Sequence, residues 1–537
     1  MSGLSKDRGL EVSAVGLSQA EADKLYKRII TGDIGTPGQI GFGVGCCPPA
    51  RLPDGMTGMS GYAEPGHANY GNYQYSDGSV MVYVPAFWCK IGTGSNGMNV
   101  NDIHVKPYGA YSSELLANAD GYFLPLAFVD GGSVQPGFFV DKYKCSKQAS
   151  GSGFIASSIP AALPISTSSA HNPISDLTAC SANVYYEAIN AAHARDGQAG
   201  AINSDSIFFC NARAMWAALA LLSMAHAQAA TSTAACAWYD SAGLKNYPKG
   251  CNNNALGDTD DAKIAYDSDG YDKCGKTGSG RPFAKTTHNG QHCGVADLNG
   301  LMFEINIGVT CIASSVSISS ATKAYPCKIT AVGHGCASGD YVMITGITGM
   351  TQINDKIFTI SAIDEDNFTL DGVDSTAFAA YKAGGTVTSG KFYRKKDSVC
   401  YRDITAGNSE STDHWGAVGV AAMMDEFDMV FKTDYPNNGF SQRMGSGANQ
   451  VLSAAVDGNA AVLTSLGMPQ DADGIAASGS NLFGSDAFYQ YICNELCLRS
   501  GGYWTHYAYA GVWYSSWGHT RSRSDASVGF RCACYPV

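Results

Sequence analysis

Charged side chains are scarce in this chain. They make up 15 % of its 537 residues, against roughly 25 % in an average soluble domain. The net charge of −12 argues against a general nucleic-acid-binding protein, which needs a basic surface to contact phosphates. A hydrophobic content of 45 % argues against disorder. Few charges, together with 63 glycines and 11 % aromatic residues, favour short strands and many loops over long solvated helices.

Long apolar runs are also missing. The N-terminal segment MSGLSKDRGLEVSAVGLSQ has no apolar core, so it does not resemble a signal peptide. The most apolar segment begins at Met215, is too short to cross a membrane, and contains His226 and Gln228. We therefore expect a protein made in the cytoplasm, without a signal peptide and without a membrane span.

Cysteine pairs of the zinc-binding type are absent too. None of the 18 cysteines forms a CxxC pair, a spacing common in structural zinc sites. Cys493 and Cys497 have the spacing of one helix face, and Cys532 and Cys534 alternate on one face of the final strand. We expect buried free thiols, because a reduced cysteine behaves as a small hydrophobic residue.

Turn residues and hydrophobic periodicity divide the chain. Ser18 and Glu21 form a capping box that predicts a helix at 18–30, and a second helix is predicted after Asn211. Regularly spaced turns predict short strands at 313–390. The predicted segments are an N-terminal attachment region at 1–75, the first part of an α+β domain at 76–312, an inserted small all-β module at 313–390, and the second part of the α+β domain at 391–537.

Three segments carry a family resemblance: GFFVDKYKCS at 137–146, ADLNGLMFEINIG at 296–308, and the ending formed by LRSGGYW at 498–504 and SVGFRCA at 527–533. They are similar to segments of the formylglycine-generating enzymes and their relatives. The resemblance covers about 76–312 and 391–537. It implies a C-type-lectin-like fold of the α+β class, interrupted by the small β module.

The reactive cysteines of those enzymes have no counterpart here. The enzymes place two cysteines shortly after the strand that matches LRSGGYW, whereas residues 503–511 contain none. Their chemistry needs a thiolate as nucleophile or copper ligand, so we expect no enzymatic activity of this type. The other relatives with this ending are the variable proteins of diversity-generating retroelements, of the bacteriophage tropism-determinant type.

In those proteins, Asn codons are mutated, and the resulting codons never encode Lys, Glu, Gln, Met or Trp. Residues 503–527 contain no Lys, Glu, Gln or Met, and Trp504, Trp513 and Trp517 are then unmutated scaffold. Abundant Tyr and Ser are also typical of antibody binding loops. The predicted receptor-binding residues are Tyr503, Thr505, His506, Tyr507, Tyr509, Tyr514, Ser515, Ser516, Gly518, His519, Arg523, Asp525, Ala526 and Ser527.

The resemblance implies a bacteriophage tail receptor-binding protein. It implies synthesis in the bacterial host, a place on the virion tail, contacts with other tail proteins, and a homo-oligomer of the trimeric type. The expected partner is a protein or glycan receptor on the host cell surface. The alternatives are a carbohydrate-binding or structural tail protein without diversification, and a relative of the formylglycine-type oxidases.

The last segment of the chain is rich in arginine, and two other segments have residue spacings that resemble metal sites. Residues 499–537 hold four arginines and one aspartate; Arg523 favours an anionic host surface, and Arg531 is expected to be paired inside the domain. His288 and His292 have metal-like spacing without an evident third ligand, so a structural role is expected. No cofactor is expected, although residues 297–300 leave calcium open as an alternative.

Overall fold

The structure is a computed structural model, and the predicted helix at 18–30 lies outside the residues that it describes. The described residues are 33–46, 48, 52–92, 102–178, 183–197, 205–239, 249–404, 420–445, 451–476 and 483–537.

The strands are short and are numbered in chain order. In the first half they are β1 (Met56–Gly58), β2 (Asn72–Tyr75), β3 (Val80–Pro85), β4 (Phe87–Ile91), β5 (Ile103–Pro107), β6 (Val129–Asp130), β7 (Ser133–Val134), β8 (Gly137–Asp141), β9 (Ser146–Ser150), β10 (Gly153–Ser157), β11 (Phe209–Cys210) and β12 (Phe303–Ile305). The others are β13 (Val309–Ser317), β14 (Ser320–Ala321), β15 (Cys327–Thr330), β16 (Tyr341–Thr348), β17 (Lys356–Ala362), β18 (Asn367–Leu370), β19 (Ala383–Lys395), β20 (Met424–Phe427), β21 (Ser441–Arg443), β22 (Ala487–Tyr489), β23 (Arg499–Gly501), β24 (Gly511–Ser516), β25 (Val528–Gly529) and β26 (Cys532–Cys534).

Helices are fewer. Those in the described residues are α1 (Glu114–Ala119), α2 (Val184–His193), α3 (Arg213–Ala229), α4 (Val420–Met423) and α5 (Gly458–Ser465). The helix predicted after Asn211 is confirmed as α3. None of the described helices is both long enough and apolar enough to cross a bilayer.

The fold class differs from the prediction. Strand accounts for 31 % and helix for 16 % of the structure, distributed over several sheets. The expectation of an α+β C-type-lectin-like fold is therefore wrong, and the protein is predominantly β. One local cause is visible at Cys493 and Cys497, where a helix face was expected. Glu495 between them has φ of 51°, a left-handed conformation that interrupts a helix.

Two six-stranded sheets form the body of the protein. The first has the order β1-β2-β3-β8-β26-β11, and the second has the order β21-β22-β24-β23-β12-β25. The predicted boundary at residue 75 falls in the connection between β2 and β3, which pair within the first sheet. Helix α3 packs on the second sheet, where the buried Trp216 indole donates a hydrogen bond of 2.6 Å to the Val512 carbonyl.

The inserted segment has a hydrophobic core of its own. That core is built from buried residues between Ile318 and Val387. Strands β13 and β19 pair over nine residues, and their body-side residues Val309, Cys311 and Phe392 belong to the main core. The two strands therefore continue from the body into the module, across the predicted limits at 313 and 390.

The cysteines within the described residues are free thiols, as the sequence predicts. Sixteen are described, and all except Cys336 and Cys400 are buried. Cys532 and Cys534 lie on β26, an inner strand of the first sheet that pairs with β8 and β11. Burial raises the pKa of the Cys236 thiol to about 12, so this cysteine stays protonated and serves as a core residue.

Candidate functional site

Two loops of the second sheet carry the residues that the sequence assigns to receptor binding. The first, 502–510, joins β23 to β24, and the second, 517–527, joins β24 to β25. Gly501, at the start of the first loop, has φ of +90°, and a Cβ there would lie 3.0 Å from the Trp216 ring. Glycine is therefore required at this turn by both conformation and space.

Phe303 on β12 joins the two loops. Its ring centroid lies 5.3 Å from that of Tyr503 and 5.1 Å from that of His506, both in the first loop. It also lies 5.2 Å from Tyr514 on β24 and 6.3 Å from His519 in the second loop. One aromatic cluster thus supports both loops, because the chain after β24 returns past Phe303 to begin β25.

The first loop presents aromatic rings to solvent. Tyr507 is 49 % exposed and Tyr509 is 47 % exposed. The guanidinium of Arg443 lies over the Tyr509 ring, 3.8 Å from its centroid, a cation–π contact that fixes the ring without covering it. Amphipathic rings held at low entropic cost are the typical contact groups of binding loops.

Several arginines near these loops lack a carboxylate partner. Arg521 pairs with Glu495, and Arg531 pairs with Glu304. In contrast, Arg443, Arg499 and Arg523 form no ion pair within the described part of the chain, although Asp525 is close enough to act on the pKa of Arg499. Arg499 is buried, and its side chain instead donates to the Arg523 carbonyl. Guanidinium groups without an ion-pair partner therefore lie in the second loop and beside both loops.

The histidines add no charge at neutral pH. Burial, and then the charge of Arg443, lower the pKa of His506 to about 4. Burial, and then Arg499 and Arg523, lower the pKa of His519 to about 2. Both rings are neutral hydrogen-bonding groups, so the positive charge comes from guanidinium groups alone.

Most of the predicted receptor-binding residues come together at this surface. We call the ten that are exposed or half-buried the loop face: Tyr503, Thr505, His506, Tyr507, Tyr509, Gly518, His519, Arg523, Asp525 and Ala526.

Four residues of the prediction lie in the interior instead. Tyr514, Ser515, Ser516 and Ser527 are buried, which contradicts their assignment to a receptor-contacting surface. Ser515 lies opposite Phe488 of β22 on one side and opposite a residue of β23 on the other. Because β24 is an inner strand with both faces covered, the side chains on both of its faces are buried.

The tryptophans and Arg531 lie where the sequence predicts. Trp504, Trp513 and Trp517 are buried, as expected for scaffold residues, and Arg531 is paired internally with Glu304. Sequence reasoning missed Phe303 and Arg443 as parts of the site. No local signal could have found them, because each lies far along the chain from the loop that it contacts.

His288 and Asp297, which the sequence offers as possible metal ligands, form hydrogen bonds within the protein. His288 is buried, and its Nδ1 accepts a hydrogen bond of 2.9 Å from the Val295 amide, in agreement with a structural role. The Asp297 carboxylate accepts hydrogen bonds from the Tyr266 hydroxyl, the Thr277 hydroxyl and the Gly278 amide, at 3.1, 3.0 and 2.7 Å. These donors occupy both oxygens of Asp297, and calcium binding there stays a prediction.

The comparison with known families concerns the module. Residues 328–391 match the family described as the ubiquitin-activating enzyme E1 FCCH domain. The match begins in β15, ends within β19, and includes no residue of the loop face. No curated protein matches this chain. The chain is thus similar to that domain over the inserted module, and this similarity gives the chain neither an activity nor a partner.

Proposed function

We propose that this chain is a receptor-binding protein of a bacteriophage tail and that the loop face contacts the receptor on the host cell. The observation that carries the proposal is the pair of exposed tyrosines beside unpaired arginines on loops supported by one aromatic cluster. Interfaces depend on a few Tyr, Trp and Arg residues in this way. The function needs no catalytic group and no cofactor. A trimer on the virion tail would multiply weak contacts through avidity.

The exposed Arg523 and the exposed tyrosines of the loop face favour an acidic glycan as the receptor. A sugar ring stacks on an exposed tyrosine ring, and a guanidinium binds a carboxylate or phosphate oxygen through charge-assisted hydrogen bonds. Tyr507, Tyr509 and Arg523 offer these groups at the surface. The chain as a whole carries a net charge of −12, so the exposed Arg523 guanidinium is the group of the loop face that attracts an anionic ligand.

Replacing Tyr507, Tyr509 and Arg523 by Ala together is expected to reduce binding to host cells at least about 100-fold. Truncation of a central interface residue costs about 2 kcal/mol or more, and each 1.4 kcal/mol corresponds to roughly a factor of ten. The measurement is the affinity of purified full-length protein for host cells, together with its thermal unfolding midpoint, which should stay nearly unchanged.

A matched control uses exposed aromatic residues elsewhere. Tyr325 in the module is 69 % exposed and Phe154 is 40 % exposed. Replacing both by Ala should leave binding to host cells unaltered. Unchanged binding by the triple variant would place the receptor site outside the loop face.

We also propose that the exposed residues of the loop face are diversified by a retroelement. Among sibling phages from one lysate, sequence variation should be confined to exposed positions of the loop face such as Tyr507, Tyr509 and Arg523. Ser515 and Ser516 should be constant because they are buried in β24. Variation spread evenly over 391–537 would contradict a retroelement origin. Complete identity among siblings would favour the second candidate, a carbohydrate-binding tail protein with a fixed surface.

A further inference from the structure

His171, Asp269 and Cys274 meet beside the loop face. The Nε2 atom of His171 lies 2.6 Å from Oδ2 of Asp269. One ring nitrogen of His171, one carboxylate oxygen of Asp269 and the Cys274 Sγ all lie within 4.8 Å of one another. The side chains of His171 and Asp269 are buried, and so is Cys274. A nitrogen, an oxygen and a sulfur from two distant chain segments thus converge in the interior.

The His171 ring is held in one orientation. Its Nδ1 lies 2.8 Å from the Ala526 carbonyl oxygen, and the Tyr271 ring stacks on it at 4.2 Å. A carbonyl oxygen can only accept, so Nδ1 carries the proton of this hydrogen bond. Nε2 is therefore the ring nitrogen that faces Asp269. A histidine that donates from one nitrogen to a carbonyl and directs the other towards a ligand set has the orientation seen in metal sites.

We propose that His171 Nε2, a carboxylate oxygen of Asp269 and Cys274 Sγ bind one Zn²⁺ ion. Zinc accepts mixed nitrogen, oxygen and sulfur ligands, whereas calcium and magnesium require oxygen ligands. Zinc lies about 2.0–2.3 Å from such atoms, which places tetrahedral ligands roughly 3.3–3.7 Å from one another. The Asp269 oxygen moves away from His171 by roughly half an ångström or more to reach this spacing. Water fills the fourth position.

Zinc binding releases protons and changes no oxidation state. Burial, and then the nearby Asp269, raise the pKa of the Cys274 thiol well above its ordinary value, so the metal-free thiol is protonated. Zinc takes the thiolate as ligand and the thiol proton leaves to water. The proton between His171 Nε2 and Asp269 leaves in the same way, since both atoms then donate lone pairs to the ion.

In a second group with similar residue types, an arginine side chain takes the place that a metal ion would occupy. Asp141, Cys145 and Cys532 also lie close together. There, however, Arg195 donates to both oxygens of Asp141, at 2.6 and 2.8 Å. An internal cation thus occupies the place of a metal ion, and we assign no metal to this group.

The zinc ion would stabilise the base of the loop face. His171 reaches Ala526 through its hydrogen bond, and its ring centroid lies 6.3 Å from that of Trp504. Tyr271 contacts both rings. The ion thus fixes residues at the ends of both loops. Ordering these loops before binding lowers the entropic cost of contacting a partner, but the site itself does not depend on the proposed receptor-binding function.

Metal uptake by the full-length chain tests the proposal. Protein freed of metal by chelation is dialysed against Zn²⁺, and bound metal is measured by mass spectrometry; one ion per chain is expected, together with a higher thermal unfolding midpoint. Loading with Co²⁺ instead should produce the near-ultraviolet charge-transfer band of a cobalt–thiolate bond. No uptake by the wild-type chain would overturn the proposal without any variant.

Two cysteine variants identify the ligand. Cys274→Ser should lose the cobalt–thiolate band, and His171→Ala should bind metal at least tenfold more weakly. Cys251→Ser is the matched control, because Cys251 is a buried thiol of the same small hydrophobic cluster outside the ligand group, and it should retain the band. Circular dichroism checks that each variant is folded. A band that persists in folded Cys274→Ser would show that another thiol binds the metal and would overturn the assignment.

Discussion

Glu304→Gln is expected to lower the free energy of unfolding by roughly 3–5 kcal/mol, the typical cost of breaking a buried ion pair. Glu304 is fully buried on β12. Its carboxylate accepts hydrogen bonds from Arg531 Nε at 2.9 and 2.8 Å and also pairs with the Lys144 ammonium. Burial alone raises the pKa of Glu304, but Arg531 and Lys144 outweigh it and hold the pKa below its ordinary value. Neutralising Glu304 removes the ion-pair partner of two buried cations.

The position of this ion-pair group explains why its loss should affect the whole body. Glu304 belongs to the second sheet, whereas Arg531 directly precedes β26 of the first sheet. Arg531 also donates to the carbonyls of Asp141 and Lys142, at 3.1 and 3.0 Å. One carboxylate therefore helps to connect the two sheets, and its loss weakens their contact as well as leaving the cations unpaired.

Urea unfolding monitored by tryptophan fluorescence would measure the effect. Glu365→Gln is the control, since Glu365 is exposed in a turn of the module and such substitutions change stability by less than about 0.5 kcal/mol. If Glu304→Gln and Glu365→Gln unfold at the same urea concentration, the ion pairs contribute nothing net to stability.

Local patterns predicted several features of the molecule correctly. The helix after Asn211 follows from its apolar periodicity, and the short strands within 313–390 follow from its turn residues. The internal pairing of Arg531 was expected, but its partner Glu304 lies 227 positions away in the chain. A single sequence contains no signal that links two such positions, so the pair becomes visible only in the folded structure.

Two predictions failed for different physical reasons. Ser515 and Ser516 were assigned to the surface because of their residue type, whereas strand β24 is buried along its whole length. The fold-class prediction failed because it rested on short segments, whereas the sheets are built by pairing between distant strands. The loop face could be predicted in part, because its residues are consecutive in sequence.

Glu187 is expected to make the protein less stable as the pH rises from about 4 to 8. It lies on helix α2 and is only 2 % exposed. Its Oε1 atom has no hydrogen-bond partner within the described structure. Burial raises the pKa of Glu187 to about 8, whereas a glutamate in the unfolded chain has a pKa of about 4.3. Between these values the unfolded chain releases the proton and the folded chain retains it.

The sign and the size follow from this difference. The folded state binds more protons than the unfolded state over this interval, so the contribution of Glu187 is fully present below about pH 4 and is lost as the pH approaches 8. Each pKa unit corresponds to about 1.36 kcal/mol, so the total loss is roughly 3–5 kcal/mol. Gln has nearly the same shape and no charge, and Glu187→Gln should therefore remove this part of the pH dependence.

Urea unfolding of both proteins at pH 5 and pH 8 would measure it. The free energy of unfolding should fall further in the wild type than in Glu187→Gln, and the variant should be the more stable protein at pH 8. Other titrating groups contribute equally to both proteins. His193, for example, has its pKa lowered by burial, and its contribution has the opposite sign because stability is lost as the pH falls. The difference between the two pH profiles therefore isolates Glu187, and parallel profiles would show that this carboxyl group ionises normally in the folded protein.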